Sequence, residues 1–196
     1  MKPFPFEYPP GPLVRKHAPS YDKHWEPYRD WLRDDFDFRC AYCLNRERWG
    51  KRRGEFDIDH IVPRADGGAP FDYGNLAYAC ANCNAKKSDS SVPHPEQHAY
   101  GKCVEVDDEG RILPKSPEGR TLIRALCLDD EENTEFRRDW IRTLKTLANC
   151  DPEHFSRMMS FQDDLPNLKS RRSRKNAKPD SWKQSHAAKG DAGKIY

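Results

Sequence analysis

Two C-x-x-C pairs, Cys40-Ala-Tyr-Cys43 and Cys80-Ala-Asn-Cys83, stand 36 residues apart and constrain this chain more than any other feature. A two-residue gap lets a tight turn direct both sulfurs at one ion. Two such knuckles supply the four thiolates that a structural Zn²⁺ favours, and they leave no open position for a substrate. One pair alone would leave a redox dithiol open, whereas two pairs point to zinc. The start, Met-Lys-Pro-Phe-Pro-Phe, lacks an apolar run of signal-peptide length, so a cytoplasmic setting is expected. Cysteines in that setting read as ligands or free thiols rather than as disulfides. Cys127 and Cys150 fall on or beside apolar faces and read as small core residues; Cys103 is unassigned.

The metal also explains how the intervening chain folds. Two short strands bury too little apolar surface to be stable alone, and clamping their ends adds metal-binding energy that becomes folding energy. The whole chain has a lean composition, with 36% apolar and 34% charged residues. No stretch approaches the roughly 18 apolar residues of a membrane span, so no membrane partner is expected. The net charge of +2 is unevenly spread: residues 169–196 carry nine Lys/Arg against Asp180 and Asp191, a local +7. Such a segment reads either as a tail that touches nucleic acid or as a merely solvated one.

Four segments are expected. Residues 1–20 hold six prolines and read as an extended arm. Residues 21–100 contain the metal block, entered by a helix whose face is Tyr21, Trp25, Tyr28, Leu32 and Phe36, widened by Trp31. That face reads as core cover rather than as an aromatic platform for bases. Residues 101–163 read as a hairpin, Cys103–Val106 with Arg111–Leu113, followed by helices. One helix follows Pro117, another spans about Thr134 to Asn149, and a third starts at Asp151-Pro152 with Asp151 as its N-cap. Residues 164–196 have few large apolar side chains and read as a basic disordered tail.

Between the knuckles, Phe56-Asp-Ile-Asp-His-Ile-Val-Pro63 alternates as a strand, Asp66-Gly-Gly68 makes a loop, and Asn75-Leu-Ala-Tyr-Ala79 leads into the second knuckle and a helix. Cys40-x-x-Cys43, Asp59-His60-Ile-Val-Pro63, Gly67-Gly68, Asn75-Leu76 and Cys80-x-x-Cys83-Asn84-x-x-Lys87 together resemble the HNH endonuclease family. The resemblance covers residues 40–87 and rests on several separated motifs in the right order. It implies an α+β fold with a ββα-metal core, a four-cysteine structural zinc and flanking N-terminal and C-terminal helices.

The resemblance also implies roles. His60 matches the general base that deprotonates the attacking water, and Asp59 the adjacent carboxylate that binds the catalytic cation. Asn75 matches the middle Asn, which fixes the hairpin loop and helps orient the histidine. Asn84 matches the last position, where many members carry Asn instead of His, so this is an H-N-N version with Asn84 as an oxygen ligand. Two oxygen ligands form a hard, sparse site suited to Mg²⁺ or Mn²⁺.

The chemistry needs such groups without the family. Phosphodiester hydrolysis requires an activated water and stabilisation of developing charge, which an imidazole base and a Lewis-acidic metal supply. One difficulty is that neighbouring strand residues point to opposite faces, so Asp59 and His60 share a site only where the strand distorts or ends. Five basic residues in Arg46–Arg53, together with Lys86 and Lys87, are candidates to grip DNA phosphates. The expected function is a metal-dependent HNH endonuclease acting on DNA. The rival is a non-catalytic zinc module that binds nucleic acid or a protein partner, and residues 101–163 offer a surface for such a partner.

Overall fold

Alternation and turn chemistry place the central hairpin where the sequence predicts it. The computed structural model describes residues 4–21, 23–50, 55–171, 173 and 175–196. In chain order the elements are β1 (Pro19–Ser20), α1 (Arg29–Asp35), β2 (Phe56–His60), β3 (Leu76–Cys80), α2 (Ala81–Lys87), α3 (Tyr100–Cys103), β4 (Val104–Val106), β5 (Ile112–Pro114), α4 (Pro117–Leu126), α5 (Glu131–Cys150), α6 (Pro152–Met159), β6 (Lys175–Asn176) and α7 (His186–Lys189). The strands pair antiparallel as β1–β6, β2–β3 and β4–β5, so the fold is α+β, with small separate sheets among helices.

In the β2–β3 pair Phe56 faces Cys80 and His60 faces Leu76. The pleat puts Asp57 and Asp59 on one face, with Phe56, Ile58 and His60 on the other. On the second face Phe56 stacks on Tyr78 with ring centroids 4.9 Å apart. Helix α2 follows β3 without a loop, which completes the strand–strand–helix unit.

Capping residues set the later helices as expected. Asp151 accepts from the His154 amide and Pro152 occupies the first turn of α6. Helix α5 starts earlier than its apolar stripe suggests, because Asp130 caps it by accepting from the Asn133 amide. Helix α1 is shorter than expected. A 3-10 turn, Glu26–Tyr28, precedes it, and Pro27 in that turn has no N–H to donate and disfavours α-helix in the residue before it. Tyr21 and Trp25 therefore leave the helical face assigned to them.

One apolar cluster runs through all four segments of the chain, from Phe6 and Tyr8 through Trp31, Leu32, Leu76 and Leu122 to Leu168. Burying each large side chain contributes about 1.5–3 kcal/mol. A satellite cluster of Leu144, Ala148, Phe155 and Met159 joins it where Trp49 stacks on Trp140 at 4.4 Å. Among the described residues no helix is long and apolar enough to cross a membrane.

Two expectations are corrected. The segment 164–196 folds back onto the molecule wherever it is described. Tyr196 stacks on Phe161 at 3.8 Å, Lys178 Nζ donates to Arg15 O at 2.7 Å, and β6 pairs with β1. Few apolar groups suffice there because Arg46 supplies hydrogen bonds to Met159 O and Tyr196 O. Arg15 and His17, in the proline-rich arm, are buried. Cys127 and Cys150 are exposed rather than core residues: Cys127 is the left-handed C-cap of α4, and Cys150 ends α5.

Candidate active site and metal centre

The first knuckle turns tightly after Cys40, with Leu44 in the left-handed region at φ 61°. The Tyr42 amide points at Cys40 Sγ, 3.4 Å away, a donor that favours a thiolate there. The second knuckle joins the end of β3 to the first turn of α2, so Cys80 and Cys83 come from elements that the hairpin holds. All four cysteines are buried and unbridged, and their sulfurs lie within 4.8 Å of one another. Cys43 and Cys80 sulfurs are 3.6 Å apart. A tetrahedron with Zn–S distances of about 2.3 Å has edges of about 3.8 Å, so the cluster fits zinc. Hydrogen bonds from Cys40, Cys43 and Cys83 pull the Cys80 thiol below its ordinary range. Cys103, Cys127 and Cys150 are not part of this cluster.

His60 ends β2, half-buried, with Nε2 3.0 Å from the Pro70 carbonyl oxygen. A carbonyl accepts only, so Nε2 carries the proton and the neutral ring keeps its lone pair on Nδ1. Asn75 fixes the loop that brings Pro70 there. Its Oδ1 accepts from the Val62 amide at 2.9 Å, and its Nδ2 donates to Val62 O at 3.0 Å and Ala69 O at 3.2 Å. Gly68 is required at this crossing: a Cβ there would lie 1.9 Å from Val62 O.

Asp59 points the other way, into the interior, at 5% exposure. Tyr42 donates to its Oδ2, and Lys87 Nζ donates to its Oδ1 at 3.2 Å and to His60 O at 2.6 Å. Burial raises the Asp59 pKa, opposed by Tyr42 and by the Lys87 charge. Asn84, three residues before Lys87 on α2, donates through Nδ2 to Asp57 Oδ2 at 3.4 Å. Its Oδ1 has no hydrogen-bond partner among the described residues. The helix thus brings Asn84 to Asp57 and Lys87 to Asp59, and no hydrogen bond joins Asp59 to Asn84. Asp57 is the site residue that sequence reading missed, and Lys87, expected to grip phosphate, pairs with Asp59 instead. Their signals were present: Asp57 alternates with Asp59 along the strand, and Lys87 shares a helical face with Asn84.

The basic groups expected to grip phosphate are largely committed to the protein itself. Arg46 is buried, and Arg48 binds Ser160 O and Phe161 O. Lys86 pairs with Asp130, and Lys87 is wholly buried. Lys51, Arg52 and Arg53 lie outside the described residues.

No curated protein matches the chain. Residues 40–90, from the first cysteine of the cluster to just past α2, match the family model described as HNH endonuclease.

Proposed function

We propose that the chain is a metal-dependent endonuclease that hydrolyses DNA phosphodiester bonds, with His60 as general base. The observation that carries this reading is the Pro70 carbonyl on His60 Nε2, which leaves the Nδ1 lone pair to act, on a half-buried ring at the end of β2. In this role Nδ1 takes the proton of the attacking water. Asn75 acts through the loop, keeping Pro70 where His60 needs it.

The oxygen donors on the helix side suit a hard cation. Among the described residues the Asn84 amide oxygen has no hydrogen-bond partner, whereas the buried Asp59 carboxylate accepts from Tyr42 at one oxygen and from Lys87 at the other. The resemblance gives Asp59 and Asn84 as the holders of Mg²⁺ or Mn²⁺, whose chemistry would be Lewis-acid stabilisation of the phosphate and the leaving oxygen; Asn84 fits that part, whereas Asp59, buried against the Lys87 ammonium, does not fit it as placed. Asp57, beside Asn84, adds negative charge on the same strand face. The four-cysteine cluster would hold zinc as a structural ion, because its donors are all sulfur and all buried.

The test is incubation of zinc-loaded protein with supercoiled plasmid, with and without Mg²⁺ or Mn²⁺, beside His60→Ala. Cleavage should need the added cation and fall about 10²–10⁴-fold in the variant, with zinc content unchanged. Failure to cut with either cation would favour a non-catalytic zinc module that binds nucleic acid or a protein.

A further inference from the structure

The loop that holds His60 is itself held by residues outside the family-matched block. The buried Tyr28 hydroxyl donates to Phe71 O at 2.9 Å, one residue after the carbonyl that receives His60. Trp25, in the same N-terminal segment, stacks on the Phe71 ring at 5.9 Å and 18°. The indole also meets the His60 imidazole edge-on, with centroids 5.9 Å apart at 74°. The Arg64 guanidinium lies over the indole, 5.3 Å from its centroid. Trp25 is therefore fixed by two neighbours and abuts the ring of the candidate base.

One hydrogen bond does not fix an imidazole. The ring can pivot about the Nε2 contact, and a half-turn about its own axis exchanges a nitrogen edge for a carbon edge. A flat, immobile neighbour removes that freedom. We propose that Trp25 is a positioning residue for His60, setting the imidazole plane so that Nε2 stays on Pro70 O and Nδ1 stays available as the base. The inference rests on the nuclease reading for its catalytic consequence, but the ring geometry stands apart from it. The N-terminal segment becomes part of the site rather than a cover for the core.

The experiment compares the full-length, zinc-loaded protein with Trp25→Ala and Trp25→Phe. Three quantities are measured: kcat and KM on a DNA duplex with Mn²⁺, and the His60 tautomer from ring ¹⁵N shifts. Trp25→Ala should lower kcat about 10–100-fold, the scale of a misplacement near 1 Å, with KM within about threefold. The wild-type ring should be protonated at Nε2, and Trp25→Ala should give a tautomer mixture. Trp25→Phe keeps a flat partner and should recover most of kcat and the single tautomer. Unchanged kcat and tautomer in Trp25→Ala overturn the proposal, as does a Trp25→Phe loss equal to that of Trp25→Ala. If the wild type fails to cut DNA but Trp25→Ala still mixes the tautomers, the nuclease reading falls and the positioning role stands.

Discussion

Replacing Lys87 with Met removes a buried ammonium while keeping most of its apolar stem. Lys87 is 0% exposed, so its charge is compensated only by the protein: Asp59 Oδ1 at 3.2 Å and the His60 carbonyl at 2.6 Å. After the change the Asp59 carboxylate keeps Tyr42 as a donor but loses its counter-charge, and the His60 carbonyl loses its ammonium donor. A hydrogen bond to a charged group contributes about 1.5–3 kcal/mol, and stripping one partner from a buried ion pair costs about 3–5 kcal/mol. Against a total of about 5–15 kcal/mol, that is a large share of the fold's stability. Urea unfolding of zinc-loaded Lys87→Met at neutral pH should show this loss. Adding Asp59→Asn in the same chain should recover part of it, because no unpaired charge then remains, giving a coupling of about 0.5–3 kcal/mol. A Lys87→Met protein within about 1 kcal/mol of wild type, or losses that simply add, would refute the reasoning.

Metal analysis should find about one zinc per chain, and Cys→Ser at Cys40, Cys43, Cys80 or Cys83 should abolish it and unfold the hairpin block; a fold that survives strong chelation would contradict this. Gly68→Ala should destabilise the β2–β3 loop by about 1–3 kcal/mol, because the added Cβ meets the Val62 carbonyl, and thermal melts that match wild type would show that the loop yields. Burial opposes ionisation of Asp34, yet the His17 hydrogen bond and the charges of Lys16 and His186 outweigh it and lower its pKa. Its stabilisation is thus present above the ordinary carboxylate value and is lost as pH falls through the depressed one, so limited proteolysis from about pH 5 down to about pH 2 should release the N-terminal and C-terminal segments first. Protection that does not change over that range would remove Asp34 from this role.

The parts that were legible in the sequence are those specified locally. Two C-x-x-C turns, the alternation of Phe56–His60 and the Asp151-Pro152 cap each name their structure within a few residues, and each forms as read. What was not legible depends on partners far along the chain. Arg33 is committed to Glu47 by two hydrogen bonds of 2.7 and 2.8 Å, and Arg46 to Tyr196, 150 residues away. Composition cannot distinguish residues committed in this way from phosphate-binding ones, so it overstates the DNA-facing charge at Arg46 and Arg48 and the disorder of the C-terminal segment. Trp25 failed for a different reason: its spacing to Tyr28 and Leu32 is helical, but Pro27 breaks the helix and sends the indole to His60. The Asp59–His60 difficulty was real. The strand does not distort to unite them; the two side chains take opposite faces, and Lys87 links them through the His60 backbone.

Helix α2 is seven residues long and carries three unrelated tasks: Cys83 faces the sulfur cluster, Asn84 meets Asp57, and Lys87 reaches Asp59. Each task fixes the angular phase of the helix about its own axis. One residue inserted between Ala85 and Lys86 would turn everything after it by about 100° and advance it by about 1.5 Å, carrying Lys87 away from Asp59 while Cys83 stayed in place. Within α2, then, an added residue leaves all three contacts in phase only past Ser88, where the backbone turns out of helical geometry.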